Sequence, residues 1–381
     1  MSMPYKYWRK ILARIKLRLF AYIIVVYLTI IKLFKLIIRK KPISNTIIVL
    51  VTNKFKIGEL NASGSNKDIE SMFEDLHKYR VEFIPLLISK NPFFAVYEII
   101  FKYKKLSYLL SARQILISMP GSILSLLLIL RLICSAKIVV RVHNAELFHR
   151  MDYAKLTKSF WLRFVFIKKS IQGALSDISI TIFANRILQI NDYEMNVYWI
   201  RLNPFVKNKY IFFPYKPPLW IHREIMEKKF ALILGSFDKN TLTAAPGISF
   251  LNAGESVNRF VKSNKLDLLS VGNTLDISFN YKHFHFVESL LDVLNSTKVL
   301  LVPSGFGWGF KTKIGDALFF NQAVIVPRDL YNKSGIWKDR LIPIDDWSKI
   351  DSLEISDQID NGALIQSIND IRSNCIKSVF F

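Results

Sequence analysis

The sequence predicts an α/β protein of two Rossmann-like domains facing a cleft, with an N-terminal membrane-associated helix ahead of them. Three observations predict it. From Thr46 onward, short apolar runs of strand length alternate with helix-length segments, the pattern of βαβ units in a parallel sheet. A proline-bearing stretch, Pro214 to Pro218, is a natural interdomain boundary near the middle of the chain. At 381 residues, 51% of them hydrophobic, the chain exceeds what one core holds, since single cores stop growing near ~250 residues. The expected divisions are 1–41 for the helix, 42–225 for the first domain and 226–381 for the second.

Residues 1–41 carry eleven Lys or Arg and no acidic residue around the apolar run Leu19 to Ile31. That run is short of the ~20 apolar residues a bilayer core asks for, and positive charge on both flanks sets no orientation. At 100° per residue Lys10, Arg14, Arg18, Lys32, Lys35 and Arg39 fall along one stripe, and aliphatic residues cover the rest. The expectation is a helix lying in the membrane plane, with Tyr5, Tyr7 and Trp8 at headgroup depth; a spanning anchor with snorkelling basic chains is the alternative. KLFKLIIRKK offers no small-residue cleavage site, which argues against a signal peptide.

Thr46 to Thr52 opens the first domain as a buried strand. The loop after it holds only Gly58 and Gly64, without a GxGxxG pattern, so no dinucleotide site is expected there. Ile69 to Tyr79 has helical spacing and Val81 to Ile88 is strand-like. Ile115 to Met119, the apolar helix Ser122 to Ile133 and the strand Lys137 to Val142 form a further unit. His143 and Asn144 stand at the carboxyl end of that last strand, followed by Glu146, His149 and Asp152. This position suits a substrate: His titrates nearest neutrality, and a nearby carboxylate is suited to taking a proton from an attacking hydroxyl.

In the second domain strands are expected at Phe230 to Leu234, Leu266 to Val271, His283 to Val287, Val299 to Val302 and Ala323 to Val326. Helices are expected at Glu255 to Ser263, Val287 to Leu294 and, closing the chain, Asn361 to Val379. His283 and His285 alternate with aromatics at strand spacing and read as sheet side chains rather than metal ligands. The stretch VPSGFGWGFKTKIGDA follows a strand's carboxyl end, where open α/β sheets bind ligands. Gly305, Gly307 and Gly309 there allow backbone N–H groups close to an anion. Lys311 and Lys313 add positive charge for a diphosphate, and Asp316 is placed to accept from a sugar hydroxyl.

This block resembles the donor-site signature of bacterial GT-B glycosyltransferases of the family 4 type, in which a glycine-rich turn precedes a helix bearing an acidic residue. Asp316 stands where that family usually has its second acidic residue, Glu; Trp308 stands where it has the first. His143-Asn144-x-Glu146 is similar to the family's acceptor-side segment, and Gly235-Ser236-Phe237 to its turn facing the donor diphosphate. Ala184 to Pro218 is similar to the last strand and helix of its N-terminal domain. The resemblance implies a nucleotide-sugar donor as co-substrate with no cofactor. It implies catalytic roles for His143, Glu146 and Asp152, and donor contacts from Gly235, Ser236, Gly307, Gly309, Lys311, Lys313 and Asp316. Asn144 and His149 would meet the acceptor.

The sequence holds no Asp-x-Asp motif, so lysines are expected to neutralise the departing phosphates in place of a metal ion. A formal net charge of +23 asks for an anionic partner. Because the densest basic tract is interleaved with aliphatic residues and no nucleic-acid motif appears, the partner expected is an anionic membrane surface, not nucleic acid. Together with the resemblance, this implies a lipid-linked glycan acceptor at the cytoplasmic face of a bacterial inner membrane, in capsule or lipopolysaccharide synthesis. A catalytically inactive partner subunit of the same fold in a polysaccharide assembly complex is the competing expectation. Cys134 and Cys375 suggest neither a disulfide framework nor a zinc site.

Overall fold

The computed structural model describes residues 46–52, 64–76, 80–86, 109, 112–118, 124–157, 159–218, 226–234, 245–271, 282–284, 290–304, 308 and 310–380. The expected membrane helix at 1–41 lies outside the described residues. Among the described residues no helix is long and apolar enough to cross a membrane.

The first lobe runs β1 (Thr46–Thr52), α1 (Gly64–Asp75), β2 (Arg80–Leu86), β3 (Gln114–Ile117), α2 (Leu124–Ile133) and β4 (Lys137–Val142). It continues through α3 (Glu146–Leu156), α4 (Phe160–Phe183), β5 (Arg186–Gln189), a helical stretch over 192–202 with a π turn at Met195–Trp199, and β6 (Tyr210–Phe212). Its sheet has six parallel strands in the order β2-β1-β3-β4-β5-β6. Strands such as TIIVLVT read as continuous apolar runs because a parallel sheet is covered on both faces. Ile48, Leu50, Ile115 and Ile138 accordingly bury one face, and Ile47, Val49, Leu116 and Val139 the other.

The second lobe holds β7 (Phe230–Leu234), α5 (Ala245–Asn252), α6 (Gly254–Ser263), β8 (Asp267–Val271), β9 (Lys282–Phe284), α7 (Leu290–Asn295) and β10 (Thr297–Leu301). Then come α8 (Thr312–Phe319), β11 (Ala323–Pro327), α9 (Arg328–Asn332), β12 (Leu341–Ile344) and α10 (Gly362–Phe380). Its parallel sheet reads β12-β11-β10-β7-β8-β9, so the strand order reverses between β10 and β7. Ligands of doubly wound sheets bind beyond the strand ends at such a reversal. Of the expected strand at His283 to Val287, the described part is a strand over Lys282–Phe284, and residues 285–287 lie outside the described residues.

The closing helix does not stay in the second lobe. Ile368 packs into the second lobe's core, whereas Ile376, Val379 and Phe380 enter the first lobe's core beside Ile47 and Val49. Arg372 marks the crossing: it donates to Asp75 Oδ2 (2.7 Å), the Pro214 carbonyl (2.8 Å) and Ser71 Oγ (3.0 Å), with its guanidinium 4.3 Å above the Phe213 ring. These partners satisfy a fully buried cation, which otherwise carries a large desolvation cost.

Candidate active site

Three helices that start at strand carboxyl ends bring the candidate residues to the junction of the lobes: α1 after β1, α3 after β4 and α8 after β10. The recess there is lined by Asn191 and Glu194 of the first lobe and by Trp308, Phe310, Lys311 and Lys333 of the second.

Lys311, at the N-cap of α8, has no hydrogen-bond or ion-pair partner among the described residues, and burial lowers its pKa, with Glu194 pulling the other way and Lys333 adding to the fall. An ammonium so placed is suited to an incoming anion. His149, on α3, lies within its electrostatic reach: burial lowers the imidazole pKa first, and Lys311 lowers it next. Glu146 and Asp152 act on His149 in the opposite sense. Its Nδ1 is buried without a hydrogen-bond partner among the described residues. Buried polar atoms are nearly always satisfied, so a ring nitrogen without a partner among the described residues, in the field of an ammonium also without one there, is suited to a ligand.

The other expected residues are held in different ways. His143 accepts or shares a hydrogen bond with Ser118 Oγ at 3.2 Å, and its Nε2 lies 3.9 Å from Asp68 Oδ2. Burial depresses its pKa to about 4, with Asp68 opposing and Arg141 assisting. Its electrostatic partners thus belong to the first lobe, and of the two histidines it is His149 that Lys311 acts on. Asp68 is itself buried; burial pushes its pKa up, and the bidentate Arg141 (2.7 and 2.8 Å), aided by His143 and Arg372, more than offsets this. Glu146 accepts from Arg150 at 3.2 Å, and Asp152 pairs with Lys155 at 3.6 Å. Asn144 is half-buried in the turn between β4 and α3.

Asp316 is not open to a sugar hydroxyl in this arrangement. Its carboxylate accepts from Tyr215 Oη at 2.6 Å and from Lys67 Nζ at 3.1 Å, so it ties α8 to α1 and to the interlobe segment. Lys313 donates to the Leu234 carbonyl at 2.9 Å, capping the end of β7, and burial brings its pKa down to about 8. Gly235, Ser236, Gly307 and Gly309 lie outside the described residues, as do Gly305 and Phe237.

Searches of protein families and of curated proteins returned no match. Solved structures do match. Anabaena HepE in complex with UDP and glucose aligns at TM-score 0.56 with 9% identity, over 88% of this chain and 99% of that one. HepE with UDP-glucose aligns at TM-score 0.51 with 8% identity, over 86% and 99%. A Burkholderia xenovorans trehalose-phosphate synthase (UDP-forming) with glucose-6-phosphate gives TM-score 0.49 and 8% identity, over 88% and 98%. The fold is GT-B.

Two features of this GT-B cleft were not legible in the sequence. Trp308 lies tilted by 38° against Phe148 of the first lobe, ring centroids 4.8 Å apart, and carries Lys333 5.4 Å above its ring, so an indole joins the lobes. Asp177, on α4, is buried, and its Oδ2 accepts from Tyr198 Oη at 2.6 Å and from the Leu147 N–H at 3.4 Å. Burial raises its pKa to about 7, against the lowering effect of Tyr198. Tyr198 sits in the π turn, a local widening that often marks functional sites, but no spacing in the sequence pairs it with Asp177.

Proposed function

We propose that this chain is a nucleotide-sugar-dependent glycosyltransferase. The single observation that carries the reading is the Nδ1 of His149 within the field of Lys311, both without a hydrogen-bond partner among the described residues, at the carboxyl ends of two parallel sheets. Lys311 would neutralise the diphosphate as it departs, and neutral His149, with Glu146 beside it, would take the proton of the attacking acceptor hydroxyl. Lys311 and Lys333 would carry the phosphate charge, without a metal ion. HepE's complexes with UDP and UDP-glucose support UDP-glucose as the first donor to try.

Within that reading the acceptor is a lipid-linked glycan, and the product belongs to a bacterial surface polysaccharide. The basic residues 1–41 support attachment to the cytoplasmic face of the inner membrane. The occupied Asp316 and the indole at Trp308 favour a second reading, an inactive GT-B subunit of an assembly complex. A thermal-stability screen of nucleotide-sugars separates them, because a bound ligand raises stability by RT ln(1 + [L]/Kd). The enzyme reading expects stabilisation by at least one nucleotide-sugar that is lost in Lys311→Ala. No response to any donor base overturns it.

A further inference from the structure

Helix α4 is built inside out. Phe164, Ile167, Ile171, Leu175, Ile178 and Ile182 recur at spacings of three and four and form one stripe along it, and each is between 39% and 58% exposed. Apart from Ile180, which joins the first lobe's core, the residues it buries are small or polar: Ser170, Ser176, Asp177, Ser179 and Thr181. Their hydroxyls are satisfied locally, as Ser170 donates to the Phe166 carbonyl (2.8 Å) and Thr181 to the Ile178 carbonyl (2.8 Å). Gly173 lets the backbone of Glu146 pack where a Cβ would stand 3.1 Å away, which seats α4 closely on α3. A helix of a water-soluble surface has the opposite arrangement, apolar inward and charged outward.

The apolar stripe runs about 27 Å at 1.5 Å per residue, too long for scattered surface hydrophobics and a mark of an interaction site. Its charge identifies the occupant. Arg163 and Lys168 flank the stripe and are exposed on the same helix, whose single acid, Asp177, is buried. Phe160 and Trp161 stand 84% and 69% exposed at the helix start, where interfacial aromatics anchor amphipathic helices. We propose that the outer face of α4 lies in the surface of an anionic lipid bilayer, its apolar stripe among the acyl chains and its basic residues on the headgroups. This contact is separate from residues 1–41 and does not depend on the donor chemistry. It sets the α3–α4 hairpin, and with it His149 and Glu146, against the bilayer.

The test uses the full-length chain carrying Cys375→Ser, with an environment-sensitive fluorophore on Ile171→Cys or, in a second protein, on Leu175→Cys. Glu354→Cys, on the exposed surface of the second lobe, serves as the control. With phosphatidylglycerol-containing vesicles that bear doxyl-labelled acyl chains, the expected result is a blue shift and quenching at 171 and 175 and neither at 354. Pure phosphatidylcholine vesicles should give a weaker response. Labels at 171 and 175 that stay solvent-exposed on vesicle-bound protein overturn the proposal. Labels already shielded before vesicles are added also overturn it: in a monomer another segment of the chain covers the stripe, and in a concentration-dependent dimer a second copy does. Nucleotide-sugar stabilisation of the same labelled proteins is read in parallel, so failure of the donor reading is seen separately from failure here.

Discussion

Lys67 and Asp316 join the two lobes through a buried ion pair 3.1 Å long, with Tyr215 donating to the other carboxylate oxygen. The three groups are anchored on α1, on α8 and in the segment between the lobes. Asp316→Ala would leave the Lys67 ammonium buried without its partner, at a cost on the order of 3–5 kcal/mol, whereas Lys67→Met combined with Asp316→Leu should recover most of the loss. Urea unfolding of both singles and the double measures this. Nucleotide-sugar binding retained in the stable double variant would show that Asp316 acts as a strut and not as a donor ligand.

Lys311→Ala should weaken nucleotide-sugar binding by about ten- to a hundredfold, the range of one charge-assisted hydrogen bond of ~1.5–3 kcal/mol. His149→Gln should instead lower turnover by roughly 10²–10⁴ with little change in donor affinity, since a general base acts on the acceptor proton. Titration calorimetry with UDP-glucose and steady-state rates separate the two effects. Equal loss of donor affinity in both variants would contradict the assigned roles.

Asp177 makes stability depend on pH in an unusual direction. Its folded pKa, about 7, lies above its ordinary 3.8, so between these values the folded state keeps a proton that the unfolded chain releases. The contribution of Asp177 to the unfolding free energy therefore falls as pH rises through that window and levels off above it, by on the order of a few kcal/mol in total. Asp177→Asn should remove this slope, as read by chemical denaturation at a series of pH values.

His143 acts with the opposite sign. Its folded pKa of about 4 lies below the ordinary 6.5, so its contribution is complete above pH 6.5 and lost as pH falls toward 4. In the unaltered protein the two effects oppose each other over that range. His143→Gln should expose the Asp177 slope alone, and a pH profile unchanged by this substitution would count against the neutral imidazole.

Gly315 has no room for a side chain, because an added Cβ would sit 2.5 Å from Tyr215 Cδ1. Gly315→Ala should push Tyr215 off Asp316 and destabilise the protein by about 1–3 kcal/mol, as overpacking does. A denaturation midpoint equal to that of the parent chain would show that the ring has space to move.

Much of the fold was legible because parallel strands are buried on both faces and leave continuous apolar runs. Thr46–Thr52, Lys137–Val142 and Phe230–Leu234 form with the boundaries their sequences suggest. The α4 hairpin was not legible: the sequence of an inverted amphipathic helix has the same period as an ordinary one, and only the tertiary placement shows which face looks out. The candidate site divides similarly. Residue types suited to proton and phosphate chemistry, among them His149 and Lys311, stand out at strand ends, but periodicity cannot say which of His143 and His149 a cation will approach.

By itself, the sequence determined two alternating α/β units, a basic N-terminal stretch and a set of polar residues at the strand carboxyl ends, since burial and charge are written residue by residue. Only the tertiary structure decided that α10 returns to the first lobe, that Lys67 meets Asp316 across 249 positions of chain, and that Asp177 is held near neutrality. These depend on which groups share a low-dielectric interior, and that is a property of distance in space, not of separation along the chain.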